Sequence, residues 1–261
     1  MFALFLLFSS VVVADAEMLY PVSSVLKAGS TVQIGSVSPG QVFEVIFSDD
    51  SGFGFEWSKI IVDRASLPTG WVVLSEESTD ASLVVAIKVP EGAKPNFYLI
   101  TIGFSNPFEP GFDESVKASV VVKHSLVDVA FTRITEEGSV VGEDVVYRVS
   151  ISNASIAPYA IDVTSTLPSN WFDGKTIEAK PNASEEFDLV VKPLVYGKNN
   201  FSFKAVTKED NLVAGSFSSD LNVKPTLKGK FSSVLTGFPF FTFSLTPFQA
   251  INSLISFVIP N

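Results

Sequence analysis

The chain has 261 residues, 46% of them apolar, with 24 Phe and a formal net charge of −10. An acidic surface with no Lys/Arg stripe repels phosphate backbones, which speaks against nucleic-acid binding. With no Cys and a single His, thiol catalysis, thiolate metal sites and His-rich zinc centres are excluded, and a nucleophile–His–acid triad has only His124 to draw on.

Phe2 to Val13 is an unbroken run of apolar and small residues that leads into Ala14-Asp15-Ala16. Its length and the Ala-x-Ala ending predict a secretory signal peptide over residues 1–16 with cleavage before Glu17. The run is too short to span a bilayer comfortably. No Lys or Arg precedes it, so the α-amino group alone supplies the positive end.

From there the chain reads as short strands parted by turn chemistry. Strands are expected at Val32 to Val37, Gln41 to Phe47, Trp57 to Val62, Trp71 to Leu74, Leu83 to Val89, Phe97 to Phe104 and Val116 to Val122. Ser38-Pro39-Gly40 and Asp49-Asp50-Ser51-Gly52 punctuate the first of them, since Pro presets φ and Gly accepts φ > 0. Seven short strands with a turn every 8–12 residues are the signal of an antiparallel sandwich. The pattern restarts at Val127 to Ile134 and continues through Val145 to Ile151, Ala160 to Thr166, Phe187 to Lys192, Phe201 to Val206 and Phe217 to Val223. No stretch before residue 230 carries a helical period.

One phrase marks the duplication. Leu67-Pro68-Thr69-Gly70-Trp71 returns one hundred residues later as Leu167-Pro168-Ser169-Asn170-Trp171. Pro ends a strand by removing a ladder donor, the next two residues turn the chain, and the Trp swings back over the core. Val122-Lys123-His124-Ser125-Leu126 likewise precedes Val223-Lys224-Pro225-Thr226-Leu227 by 101 residues. The expected organisation is a first sandwich over 17–124, a second over 125–228, and a tail over 229–261.

Several segments together resemble a known family. Tyr147 to Asn153, Leu167 to Trp171, Pro181-Asn182-Ala183-Ser184-Glu185, Leu189 to Pro193 and Asn200 to Ala205 follow its pattern in the second repeat. Leu67 to Trp71, Leu83 to Pro90 and Asn96 to Phe104 follow it in the first. The pattern resembles the NPCBM-associated sandwich domain found beside secreted glycosidases and the related CARDB-type adhesion modules of surface proteins. The resemblance covers most of residues 30 to 228. It implies an all-β chain of two tandem immunoglobulin-like antiparallel β-sandwiches that serve as spacers or adhesion modules. The first repeat departs from the pattern at Phe53-Gly54-Phe55-Glu56-Trp57, which has no counterpart in the second.

Neighbouring carboxylates occur at Asp49-Asp50, Glu76-Glu77, Asp113-Glu114, Glu136-Glu137, Glu143-Asp144, Glu185-Glu186 and Glu209-Asp210. A glycosidase needs two carboxylates held across a cleft, which sequence neighbours on a turn do not supply. None of the pairs has calcium-loop spacing, and solvated turns account for them. No catalytic or metal residue and no cofactor is expected. Asn153-Ala154-Ser155, Asn182-Ala183-Ser184 and Asn200-Phe201-Ser202 are candidate N-glycosylation sites.

The last 31 residues, from Phe231 to Asn261, carry no charge and hold seven of the 24 Phe. Phe238, Phe240, Phe241, Phe243, Phe248, Ile251, Leu254, Ile255 and Phe257 form its apolar content, broken by Gly237, Pro239 and Pro247. The tail is expected to meet membrane lipid or a membrane protein, lying in the interface or bending into it. The whole reads as a non-enzymatic, extracellular, membrane-anchored cell-surface protein with a structural or adhesive role and a surface protein or glycan as partner. The alternative is a carbohydrate-binding accessory module, which calls for exposed aromatics on one sheet face or loop end.

Overall fold

The computed structural model describes residues 15–52, 54–79, 81–108, 113–135 and 138–225. Residues 1–14 of the expected leader and the whole of the expected tail, 229–261, lie outside the described residues. Among those described, the chain is all-β, with seventeen strands and no helix. It divides into two compact units. The first runs to Leu126 and takes in Ala154–Pro158 and Lys180–Asn182, and the second holds Val127–Asn153, Tyr159–Ala179 and Ala183 onward.

The first unit contains β1 (Asp15–Tyr20), β2 (Ser24–Lys27), β3 (Thr31–Val37), β4 (Val42–Ser48), β5 (Lys59–Val62), β6 (Val72–Ser78), β7 (Ser82–Lys88), β8 (Asn96–Ser105) and β9 (Glu114–Val122). One sheet has the order β2-β1-β4-β7-β6 and the other β3-β9-β8-β5. Leaving out β2 and β3, the order is that of an immunoglobulin-type sandwich: β1, β4, β7 and β6 take the places of A, B, E and D, facing β5, β8 and β9 as C, F and G. Alternation explains the core, because each strand turns every second residue inward. Phe43, Val45 and Phe47 of β4, Leu83, Val85 and Ile87 of β7, and Ile100, Ile102 and Phe104 of β8 are all buried.

The composition did not reveal β1 and β2. Asp15 and Ala16, read as the end of the leader, pair with Lys27 and Leu26 at the start of β1, and Met18 lies in the core opposite Phe47. Ala154–Pro158 complete the first unit through a buried polar knot. Gln41 Oε1 accepts from Ser38 N (2.7 Å) and Ser155 Oγ (2.8 Å), Gln41 Nε2 donates to Pro158 O (3.1 Å), and Tyr20 Oη donates to Ile156 O (2.6 Å). A buried amide must place its donors and acceptors, and Gln41 does so on both sides.

The second unit contains β10 (Val127–Arg133), β11 (Ser139–Val140), β12 (Val145–Asn153), β13 (Tyr159–Ser165), β14 (Lys175–Ala179), β15 (Ser184–Val191), β16 (Gly197–Thr207) and β17 (Val213–Lys224). Its sheets are β10-β12-β15 and β11-β17-β16-β13-β14. Tyr147 of β12 sits fully buried among Phe201, Phe203 and Phe217, with ring centroids 5.2 to 6.0 Å apart. Such edge-on aromatic clusters contribute beyond their buried area. β11 is two residues long, and β14 has only Ile177 and Ala179 facing inward, so neither left a readable period.

Candidate functional site

The repeated phrase sits at the same place in both units, after the C strand, and both copies make the same bond. Trp71 N donates to Pro68 O at 3.1 Å and Trp171 N to Pro168 O at 2.8 Å. The turns nevertheless differ. Gly70 takes φ +85°, the left-handed value that the third position of a type II turn demands, and Trp71 leads straight into β6 beside β7. In the second copy Asn170 does not take positive φ, and Phe172 N also bonds to Pro168 O, which winds the chain further. Asp173-Gly174 then carry it to β14, which pairs with β13 in the opposite sheet. One phrase thus feeds strand D (β6) in the first unit and, in the second, β14, which lies at the sheet edge beyond β13, the strand in the place of C.

Trp71 is 7% exposed, its ring 5.2 Å from Tyr98 and 6.1 Å from Phe43, while Trp171 is 5% exposed. Leu167 is buried, Leu67 is half-buried against the first core, Pro68 is half-buried and Pro168 is exposed. Trp57, from the segment unique to the first repeat, is 1% exposed and packs between Phe55 and Phe104. No Trp is therefore available to stack on a sugar. The exposed aromatics among the described residues are Phe97 on β8, Phe108 in the loop beyond it, and Tyr196 between β15 and β16. Phe97 is the only one on a sheet face, so they do not line up as an aromatic platform.

The outer face of the five-stranded sheet in the second unit is polar. A shallow, open depression runs over Thr166, Lys198, Asn200, Ser202, Ser218 and Asp220. Next to it lies a cleft of 450 Å³ bounded by Arg133, Gly138, Asp220, Asn222 and Lys224. Lys198 Nζ lies 2.9 Å from Asp220, and this hydrogen bond and charge hold the Asp220 carboxyl below its ordinary range. Asp162 on the same face is lowered by a hydrogen bond from Thr176 and by Lys208 at 3.2 Å. These pairs are exposed and cross-strand, which marks them as sheet-surface stitching.

The candidate carboxylates are dispersed. Glu76 lies on β6, not in a turn, where it accepts from Val62 N (2.7 Å) and Arg64 (3.0 Å). Glu185-Glu186 lie on β15 and Glu114 opens β9, with burial raising the Glu114 carboxyl. Glu136-Glu137 fall outside the described residues. Among the described residues no group of three or more His, Asp or Glu side chains is placed to hold a metal ion. His124 is exposed at the end of the first unit.

The sequons separate by burial. Asn153 is 2% exposed and its Nδ2 donates to Ala179 O at 3.3 Å, so a glycan on that nitrogen does not fit the folded chain. Asn182, in a left-handed turn (φ +48°), and Asn200, on β16, are both exposed. The tail residues Phe238 to Phe257 lie outside the described residues, and among those described no helix is long and apolar enough to cross a membrane.

No family model matches the chain, and no curated protein sequence does either. Among solved structures, the D00-D0 domain of intimin shares 11% identity over 79% of this chain and 98% of its own, with a TM-score of 0.28. The tandem Ig repeats of Dlar share 13% over 82% and 100%, with a TM-score of 0.28. A protein of unknown function from Porphyromonas gingivalis W83 shares 16% over 80% and 98%, with a TM-score of 0.26. At such scores the likeness adds nothing to the strand order, which by itself defines the immunoglobulin-like fold.

Proposed function

We propose that the chain is a non-catalytic, exported surface protein whose two sandwiches act as a structural or adhesive module, held at a membrane by residues 229–261. The observation that carries the reading is where the aromatics go. All three Trp and the large Phe and Tyr clusters are spent on two closed cores, and the sheet face over the second core is left to Ser, Thr, Asn and paired charges. Side chains placed this way build a hydrated module whose outer sheet face is polar. The resemblance to NPCBM-associated and CARDB-type spacer domains supports the same role, and the charge-free tail supplies the apolar surface for an anchor.

The test is fractionation of cells producing the full chain, with and without Phe231–Asn261. The expected result is full-length protein in the membrane fraction, cleaved by protease added to intact cells, and release into the soluble fraction on deleting the tail. Full-length protein that stays soluble, or that resists external protease while intracellular controls also survive, overturns the proposal.

A further inference from the structure

In the first unit the outer edge of β7 is covered by β6, from Val72 opposite Lys88 to Ser78 opposite Leu83. The second unit sends the corresponding strand, β14, to the other sheet. Its β15 therefore pairs with β12 on one side only, and no strand among the described residues covers the other side. Two further observations show that the place is open. The inward row of β7, Leu83, Val85 and Ile87, is fully buried. On β15 the inward Leu189 and Val191 are buried, but the inward Phe187 is only half-buried. The main chain faces outward as well. Pro193 O accepts from Gly142 N on the β12 side, and Lys192 N donates to Trp171 O (2.8 Å) on the open side. Alternation sends the amides of Val190, Asp188 and Glu186 the same way as that of Lys192.

We propose that this edge is a strand-addition site, which an extended segment of a partner protein fills as β6 fills the equivalent place in the first unit. Of the usual guards the edge lacks Pro, Lys and a bulge: it is eight residues long, its ladder to β12 has no register shift, and its charges are all acidic, Glu185 on the inward row and Glu186 and Asp188 on the outer. Its side chains select the partner. Glu186 and Asp188 project on the outer row and share one cation, Arg148, at 3.5 and 3.2 Å. The acidic pair leaves an excess negative charge that repels a second β15 laid antiparallel across it, and it attracts a basic strand. The partner segment thus carries Lys or Arg on one row and an apolar side chain on the other, where it covers Phe187. Main-chain bonds hold it, and the two rows give selectivity.

The test uses the full chain, a short acetylated peptide alternating lysine and valine, and the same peptide N-methylated at every second amide. The expected result is slowed hydrogen exchange at Glu186, Asp188 and Val190 with the plain peptide, and binding at least tenfold weaker for the N-methylated one. E186K/D188K should bind the plain peptide at least tenfold more weakly while its circular dichroism is unchanged. Equal binding of both peptides reduces the contact to charge attraction and overturns the proposal. So does unchanged exchange on β15, or a chain that already dimerises through this strand.

Discussion

Gly215 on β17 is the tightest point of the second unit, and its replacement by Ala is the sharpest test of how that sandwich closes. A Cβ built there lies 2.1 Å from Val129 O, 2.9 Å from Val129 C and 2.9 Å from Val129 Cβ. The ladder shifts register beside it, with Ala205 opposite Gly215 and Val206 opposite Val213, and this bulge presses the β17 main chain against β10. Gly215 does not adopt positive φ, so Ala meets no backbone strain and its cost is steric alone. The obstacle is a main-chain carbonyl, not the end of a flexible side chain. Relieving the overlap takes a retreat of about 1 Å to reach normal contact. β10 is held by seven residue pairs to β12, so that movement stretches its ladder. Overpacking of this kind costs about 1–3 kcal/mol. Weakening two ladder bonds adds about 1–3 kcal/mol, so G215A should destabilise the second unit by about 4 kcal/mol. With a urea m-value of about 1.5 kcal/mol/M, the midpoint falls by roughly 2.7 M. Hydrogen exchange across a urea series separates the units, with a peptide from β12 reporting the second and one from β8 the first. A shift under about 0.5 M in the β12 peptide would refute the close approach.

Trp71→Ala and Trp171→Ala should each cost about 3–5 kcal/mol, read as urea midpoints in the unit concerned; two variants as stable as the parent would remove the phrase from the core. Tyr147 is fully buried and its hydroxyl has no hydrogen-bond partner among the described residues, so Y147F should raise the stability of the second unit by about 1 kcal/mol at neutral pH. Burial also raises the Tyr147 phenol, with Arg133 opposing. Its contribution is therefore fully present below the ordinary value of about 10 and is lost as pH rises through the folded value, so Y147F should flatten the alkaline limb of a stability–pH curve. Asp162 behaves oppositely. Its lowered carboxyl contributes stability above the ordinary value of about 3.9 and loses it as pH falls through the folded value, so D162N should make the acid limb shallower, as followed by thermal melts across pH.

Alternation and turn chemistry were enough to determine that the described chain is all-β, that it holds two tandem sandwiches, and roughly where thirteen of its strands lie. A period of two in Tyr147, Val149 and Ile151, or in Phe43, Val45 and Phe47, depends on local geometry alone, because one face of each strand must leave water. The recurrence of Leu-Pro-x-x-Trp reflects the same local demand, a strand end and a turn that return an indole to the core. What followed the phrase was not local. Gly70 and Asn170 each permit the same first hydrogen bond, yet one leads to β6 beside β7 and the other to β14 beside β13. The short strands β2 and β11 escaped notice because four and two residues carry no measurable period. Gly215, Tyr147 and Asn153 drew their importance from partners far away in sequence: a carbonyl on β10, a ring cluster on β16 and β17, and a carbonyl at the end of β14. The open edge of β15 is the clearest case. Every residue on it reads as an ordinary strand, and only the departure of β14 to the other sheet leaves its outer side without a neighbouring strand among the described residues. Pairing between strands is a property of the assembled sheet, since hydrogen bonds across it join residues that no local pattern relates.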